Sequence, residues 1–157
     1  MNNGVLAAGE GFSIWVVGDR YTIKASGNDT GGAFAMIEAI VPPGNGPPPH
    51  IHSREDEAFY VLEGELQFHT QDRSFSATSG AWVTLAKELL HYFKNTGSKP
   101  ARMLIVVTPA GLEEFFLEIG RETVEGETEP VAPTPEDIQK LVKTAPRYGL
   151  EIRLCPS

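Results

Sequence analysis

The chain has 157 residues, with 21 acidic against 13 basic side chains for a formal net charge of −8, and a single cysteine. That length fits one domain over residues 1–157, and the acidic balance argues against a positively charged surface for nucleic acid or anionic membrane. Cys155 alone excludes an intramolecular disulfide framework; residues 1–10 lack a basic and apolar leader pattern, and no stretch approaches about 18 consecutive apolar residues, so a soluble cytoplasmic protein is expected.

Sixteen glycines and twelve prolines imply many turns and short strands, favouring an all-β core over a helical bundle. Residues 12–17 and 21–25 are β-prone runs joined by Gly18, Asp19 and Arg20, which reads as a hairpin. Residues 27–32 are a loop by composition, and 34–41 a strand buried on both faces. Residues 42–49 carry five prolines, whose fixed φ angles make the approach to His50 stiff. Further strands are expected at 57–63, 66–70, 74–78, 80–85, 91–95 and 101–108, the last being the most continuous apolar run. From Gly111 onward the texture changes. Leu112, Phe115, Phe116 and Ile119 recur at helical spacing, so both phenylalanines are expected to dock a short helix on the core. Residues 121–133 read as an exposed acidic linker. Thr134, Pro135 and Asp137 then form the start signal of a second helix, and residues 147–152 an extended tail. About ten short strands followed by two helices predict a β-sandwich or barrel with a helical extension over 111–157.

The chemistry concentrates in residues 44–64. His50 and His52, two apart on an extended strand, project to the same side. Glu57 has an odd offset from both, so the chain must turn through residues 53–56 for its carboxylate to face the imidazoles; Glu55 and Asp56 then read as solvated turn residues. His91 is the candidate fourth ligand, whereas His69, on a predicted hairpin, reads as a surface histidine. Three imidazoles with one carboxylate suit divalent first-row metals, iron, nickel, manganese, cobalt, copper or zinc, and leave coordination positions open for a substrate. Glu57 is read either as a ligand or as a carboxylate that orients a histidine.

These residues resemble the motifs of the cupins. Gly44, His50, His52, Glu57 and Gly64 meet every term of the first motif; Gly80, His91 and Asn95 meet the second, where Ala86 and Glu88 replace the usual proline and glycine. The match covers about residues 34–109, and looser likenesses point to single-domain, quercetin-dioxygenase-like members. The resemblance implies a cupin-type double-stranded β-helix, or jelly-roll, barrel with short C-terminal helices. It implies a metal held by His50, His52, Glu57 and His91, with Glu57 as the group that accepts a substrate proton. It further implies a dioxygenase acting on a small aromatic, flavonol-like substrate, and a homodimer. Metal-dependent isomerisation or decarboxylation, and a non-enzymatic small-molecule or metal-binding role, are the alternatives. A glycine at position 88 would permit positive φ, so Glu88 is expected either to change the turn or to bear strain.

Overall fold

The computed structural model describes residues 4–154; Cys155 lies outside them. Two antiparallel sheets face each other. The first is ordered β11-β1-β2-β3-β10-β5-β8, comprising β1 (Phe12–Val16), β2 (Asp19–Ala25), β3 (Ala35–Val41), β5 (Asp56–Glu63), β8 (Trp82–Leu85), β10 (Ala101–Thr108) and β11 (Arg121–Glu122). The second is ordered β12-β4-β9-β6-β7, from β4 (His50–His52), β6 (Glu65–Thr70), β7 (Ser74–Thr78), β9 (His91–Lys94) and β12 (Leu150–Ile152). This is the jelly-roll arrangement of the double-stranded β-helix.

Period-two alternation builds the core. Ile37, Ala39 and Val41 of β3, Met103, Ile105 and Val107 of β10, and Phe59 and Val61 of β5 turn inward and are buried. They meet Leu66 and Phe68 of β6 and Phe93 of β9, with Phe59 and Phe68 ring centroids 5.1 Å apart. The intervening residues of β3 and β10 are half-buried, so β3 is sealed on one face only, not both.

Three local outcomes depart from the sequence expectation. The hairpin turns on Val17 and Gly18, at φ 50° and 90°, so Asp19 is the first residue of β2, not part of the turn. A β-branched residue at positive φ is strained, and that strain is held by the strand pairing either side. A single helical turn, α1 (Gly27–Thr30), replaces part of the expected loop, with Ser26 and Asp29 capping it reciprocally. Residues 121–122 of the expected linker instead pair with the edge of β1, opposing Ile14 to Glu122. Glu127 then accepts from the Trp15 indole and the Arg121 guanidinium, pinning the segment.

Two helices follow the sheets, α2 (Leu112–Ile119) and α3 (Pro135–Thr144). Asp137 and Thr134 form the anticipated capping box on α3. The buried Glu113 carboxylate accepts from the Gly27 and Gly111 backbone N–H groups, each at 2.7 Å, and ties α2 to α1. A 3₁₀ turn at Ala145–Tyr148 leads into β12, which pairs with β4. Glu118 takes both the Tyr148 hydroxyl and the Arg147 guanidinium, clasping α2 to that turn. Among the described residues no helix is long and apolar enough to cross a membrane.

Candidate metal centre

His50 and His52 do share one face of β4, with half-buried Ile51 between them. Three neighbours fix that three-residue strand. His50 opposes His91 on β9, and all three residues of β4 pair with β12. Asn95, at the end of β9, donates to the carbonyls of Val41 and Lys99, while backbone bonds join it to Gly44 and Asn45. At Gly46 a Cβ would sit 2.0 Å from the Phe93 carbonyl oxygen, so only glycine lets the proline run lie this close to β9.

The odd offset of Glu57 is resolved by a change of sheet. The chain leaves the five-stranded sheet after His52 and enters the seven-stranded sheet at β5, where Glu57 points inward. The histidines therefore come from one layer and the carboxylate from the other. The turn that includes Glu88 holds its shape despite the missing glycine. Glu88 takes φ 69°, its N–H donates to the His52 carbonyl at 2.7 Å, and His91 stands in line with the other three groups. That conformation costs about 1–2 kcal/mol for a residue with a Cβ.

One atom from each of His50, His52, Glu57 and His91 lies within 4.8 Å of every other. Each Nδ1 is engaged elsewhere: His50 with the Pro48 carbonyl at 2.8 Å, His91 with that of Leu89 at 3.0 Å, and His52 with the Glu55 carboxylate at 2.9 Å. All three rings therefore turn Nε2 to the centre. There Glu57 Oε2 lies 3.0 Å from His52 Nε2 and 2.8 Å from His91 Nε2. His52 Nε2 is close to that oxygen but not aligned for a hydrogen bond, and is a buried polar atom without a partner. His91 Nε2 is within hydrogen-bond reach of that oxygen, and a cation shared by these atoms would satisfy His52 Nε2 as well. Separations near 3 Å match neighbouring ligands about one ion with bonds of about 2.0–2.2 Å. The donor set fits a divalent transition metal.

The electrostatics fit the same reading. Burial and then the neighbouring His91 and His52 rings push His50 down to about 3, so it stays neutral and ready to ligate. Burial alone would lower His52 as well, but the Glu57 carboxylate, joined by Glu55, outweighs it and raises His52 to about 9. Burial opposes charge on Glu57, yet His52 and His91 hold its carboxyl well below the usual range. Without metal, then, a proton on His52 supplies the missing positive charge.

Glu55 corrects the sequence expectation: it is buried, not solvated, and orients His52. Asp56 is exposed as expected, and it accepts from the Lys87 N–H, bracing the turn before His91. His69 stands apart from the cluster, bonded to Ser74 and stacked on Tyr92. Beside the cluster lies a cavity of about 50 Å³, enclosed by Val17, Ile105 and side chains of α2, α3 and β12. Phe115 and Phe116 line it, so α2 roofs the cavity as well as docking on the barrel.

Residues 37–107, which hold all four converging groups, match the family model described as "Cupin domain". Over 148 residues, 94% of the chain, it is 24% identical to quercetin 2,3-dioxygenase of Bacillus subtilis, spanning 43% of that protein. A second quercetin 2,3-dioxygenase, from Aspergillus japonicus, is 25% identical over 74% of the chain and 35% of its own length. The chain thus spans less than half of either curated relative. Among solved structures, a protein described as a predicted oxalate decarboxylase from Thermotoga maritima superposes with a TM-score of 0.62, covering 68% of this chain and 99% of that one at 21% identity. That last likeness speaks to the fold alone.

Proposed function

We propose that this cupin is a metal-dependent dioxygenase in which His50, His52, Glu57 and His91 hold a divalent transition ion. The observation that carries the ligand assignment is the convergence of three Nε2 atoms on one carboxylate, with every Nδ1 engaged elsewhere. When bound, the ion supplies Lewis acidity and, for redox-active metals, a route for dioxygen chemistry. Glu57 accepts the hydroxyl proton of the substrate at a carboxylate oxygen. The apolar walls from α2 and α3 orient the substrate and exclude water. Similarity to two quercetin 2,3-dioxygenases supports a small aromatic, enol-bearing substrate.

A second reading has its own support. A cavity of about 50 Å³ holds roughly three to five waters, far less than a three-ring flavonol. That size favours a small substrate isomerised or decarboxylated by Lewis-acid chemistry alone, unless the helical roof opens. Elemental analysis of freshly purified protein, followed by aerobic and anaerobic incubation with flavonols and added iron, nickel, cobalt or manganese, separates the two. The dioxygenase reading expects dioxygen-dependent products; equal turnover without dioxygen overturns it in favour of the second. His50→Ala is expected to lose most bound metal, and unchanged metal content would refute the ligand set.

We also propose a homodimer formed through the outer face of the seven-stranded sheet. Leu104, Tyr60 and Trp82 form one row across β10, β5 and β8, and Met36 and Val106 flank it; Tyr60 and Trp82 are 39% and 59% exposed.

A further inference from the structure

Asp19 stands apart from the metal ligands, yet it is buried to 2% exposure and lines the same cavity as His50, His52 and Glu57. Its position follows from the Val17 and Gly18 turn, which starts β2 two residues early and directs positions 19 and 21 inward together. Asn45 donates to Asp19 Oδ1 at 2.5 Å and to the Val17 carbonyl at 3.1 Å, and the Tyr21 hydroxyl shares a hydrogen bond with the Asp19 carboxyl. Tyr21 is itself held edge-on by Phe116 of the roof, at 4.9 Å between ring centroids.

Among the described residues no lysine or arginine borders this cavity. The titratable groups on its wall are Asp19 and Tyr21 from β2, His50 and His52 from β4, and Glu57 from β5; the other lining residues are apolar or proline. A buried carboxyl without a cation favours its neutral form, which carries an O–H to donate. Consistent with this, burial raises Asp19 to about 8, against the lowering effect of its Asn45 and Tyr21 hydrogen bonds. The Asn45 bond occupies Oδ1 as an acceptor, so the proton belongs on the other carboxyl oxygen, where the O–H can turn between the Tyr21 hydroxyl and a ligand in the cavity.

We propose that Asp19, positioned by Asn45 and Tyr21, is a ligand-recognising group that donates a hydrogen bond to an anionic or carbonyl oxygen of a small molecule whose other oxygen function lies at the histidine–glutamate cluster. The ligand class is a compact molecule with two oxygen-bearing groups, such as a dicarboxylate or an oxo acid. This rests on the metal-centre reading for one end of the ligand, while the Asp19 end stands on the cavity geometry.

The test compares malonate with acetate as probes on the metal-loaded protein, by calorimetric titration between pH 6 and 10, with bound metal determined separately. The wild-type protein is expected to prefer malonate about ten- to hundredfold at pH 6–7, the range of one hydrogen bond to a charged group. That preference should fall as pH rises through about 8, where Asp19 ionises and repels the second carboxylate. Acetate titrated at each pH reports changes arising at the metal centre, so the ratio isolates Asp19. Asp19→Asn keeps an N–H donor but cannot ionise, and should retain the preference up to pH 10. Asp19→Ala should lose it at every pH with bound metal unchanged. Equal affinity for the two probes in the wild-type protein, or an undiminished preference in a folded Asp19→Ala, overturns the proposal. If Asp19→Ala does not fold, a malonate preference in Asp19→Asn that falls with pH as the wild type does overturns it equally. Protein that takes up no metal refutes the metal centre and removes the ligand's anchored end, a failure that the separate metal determination distinguishes from a missing Asp19 preference in loaded protein.

Discussion

Glu55 and His52 form the shortest path by which a single side chain can alter the centre without being one of the four converging groups. Its carboxylate fixes the Nδ1 proton of His52 and so presents Nε2 inward. Glu55→Ala is expected to weaken metal affinity about 10–100-fold in chelator competition, with Glu55→Gln restoring part of it and the fold intact by circular dichroism. The His52 proton yields a second prediction. In the metal-free protein it persists until pH nears about 9, and metal must displace it. Affinity should therefore rise with pH by up to tenfold per unit below about 9 and level off above. Calorimetry in buffers of different ionisation enthalpy should find about one proton released per metal near neutral pH. The same pairing with Glu57 stabilises the metal-free fold below the ordinary histidine value of 6.5, and that contribution disappears as pH rises through about 9.

At this scale the sequence is an uneven guide. His50, His52, Glu57 and His91 were legible because strand alternation and motif spacing are local properties. Glu55 was not, since a buried turn carboxylate and a solvated one look alike in sequence; its burial is a property of the folded turn. Asp19 was hidden by its neighbour: a glycine followed by an aspartate reads as a turn, and only the conformation of Val17 moves the turn one residue back. The strain foreseen at Glu88 is present, and the bond from its N–H to the His52 carbonyl holds the turn in that conformation.

Among the elements, α2 has two roles that conflict with a large substrate. Phe115 is buried and anchors the helix, whereas Phe116 is half-buried, lines the cavity and packs on Tyr21. Phe116→Ala is expected to enlarge the cavity at a cost of no more than about 3 kcal/mol, the low end for aromatic truncation, because the ring is only partly buried. If a flavonol is the substrate, its KM should fall in that variant with kcat little changed; an unchanged KM would mean that the roof does not limit entry. The two C-terminal helices were legible from their spacing and cap, but β11 was not, because its pairing answers the open edge of β1, which composition does not encode.

For the whole molecule, the outer face of the seven-stranded sheet is the surface through which the proposed homodimer would form. At one end of this sheet β11 covers β1, whereas the other ends on β8, beside β5. Tyr60→Glu with Trp82→Glu should convert a dimer to a monomer in sedimentation velocity while leaving bound metal unchanged. Wild-type protein that sediments as a monomer at micromolar concentration would refute the dimer.

The pairing of β12 with β4 sets an order of events during synthesis. Residues 150–152 are the neighbours of the strand that carries two histidines, one hundred positions earlier in the chain. Until they leave the ribosome, that strand has an open edge on one side and is held on the other by the single opposition of His50 to His91. Completion of the proposed metal centre therefore waits on residues 150–152, and a nascent chain stalled before residue 150 should exchange metal far faster than one that includes them.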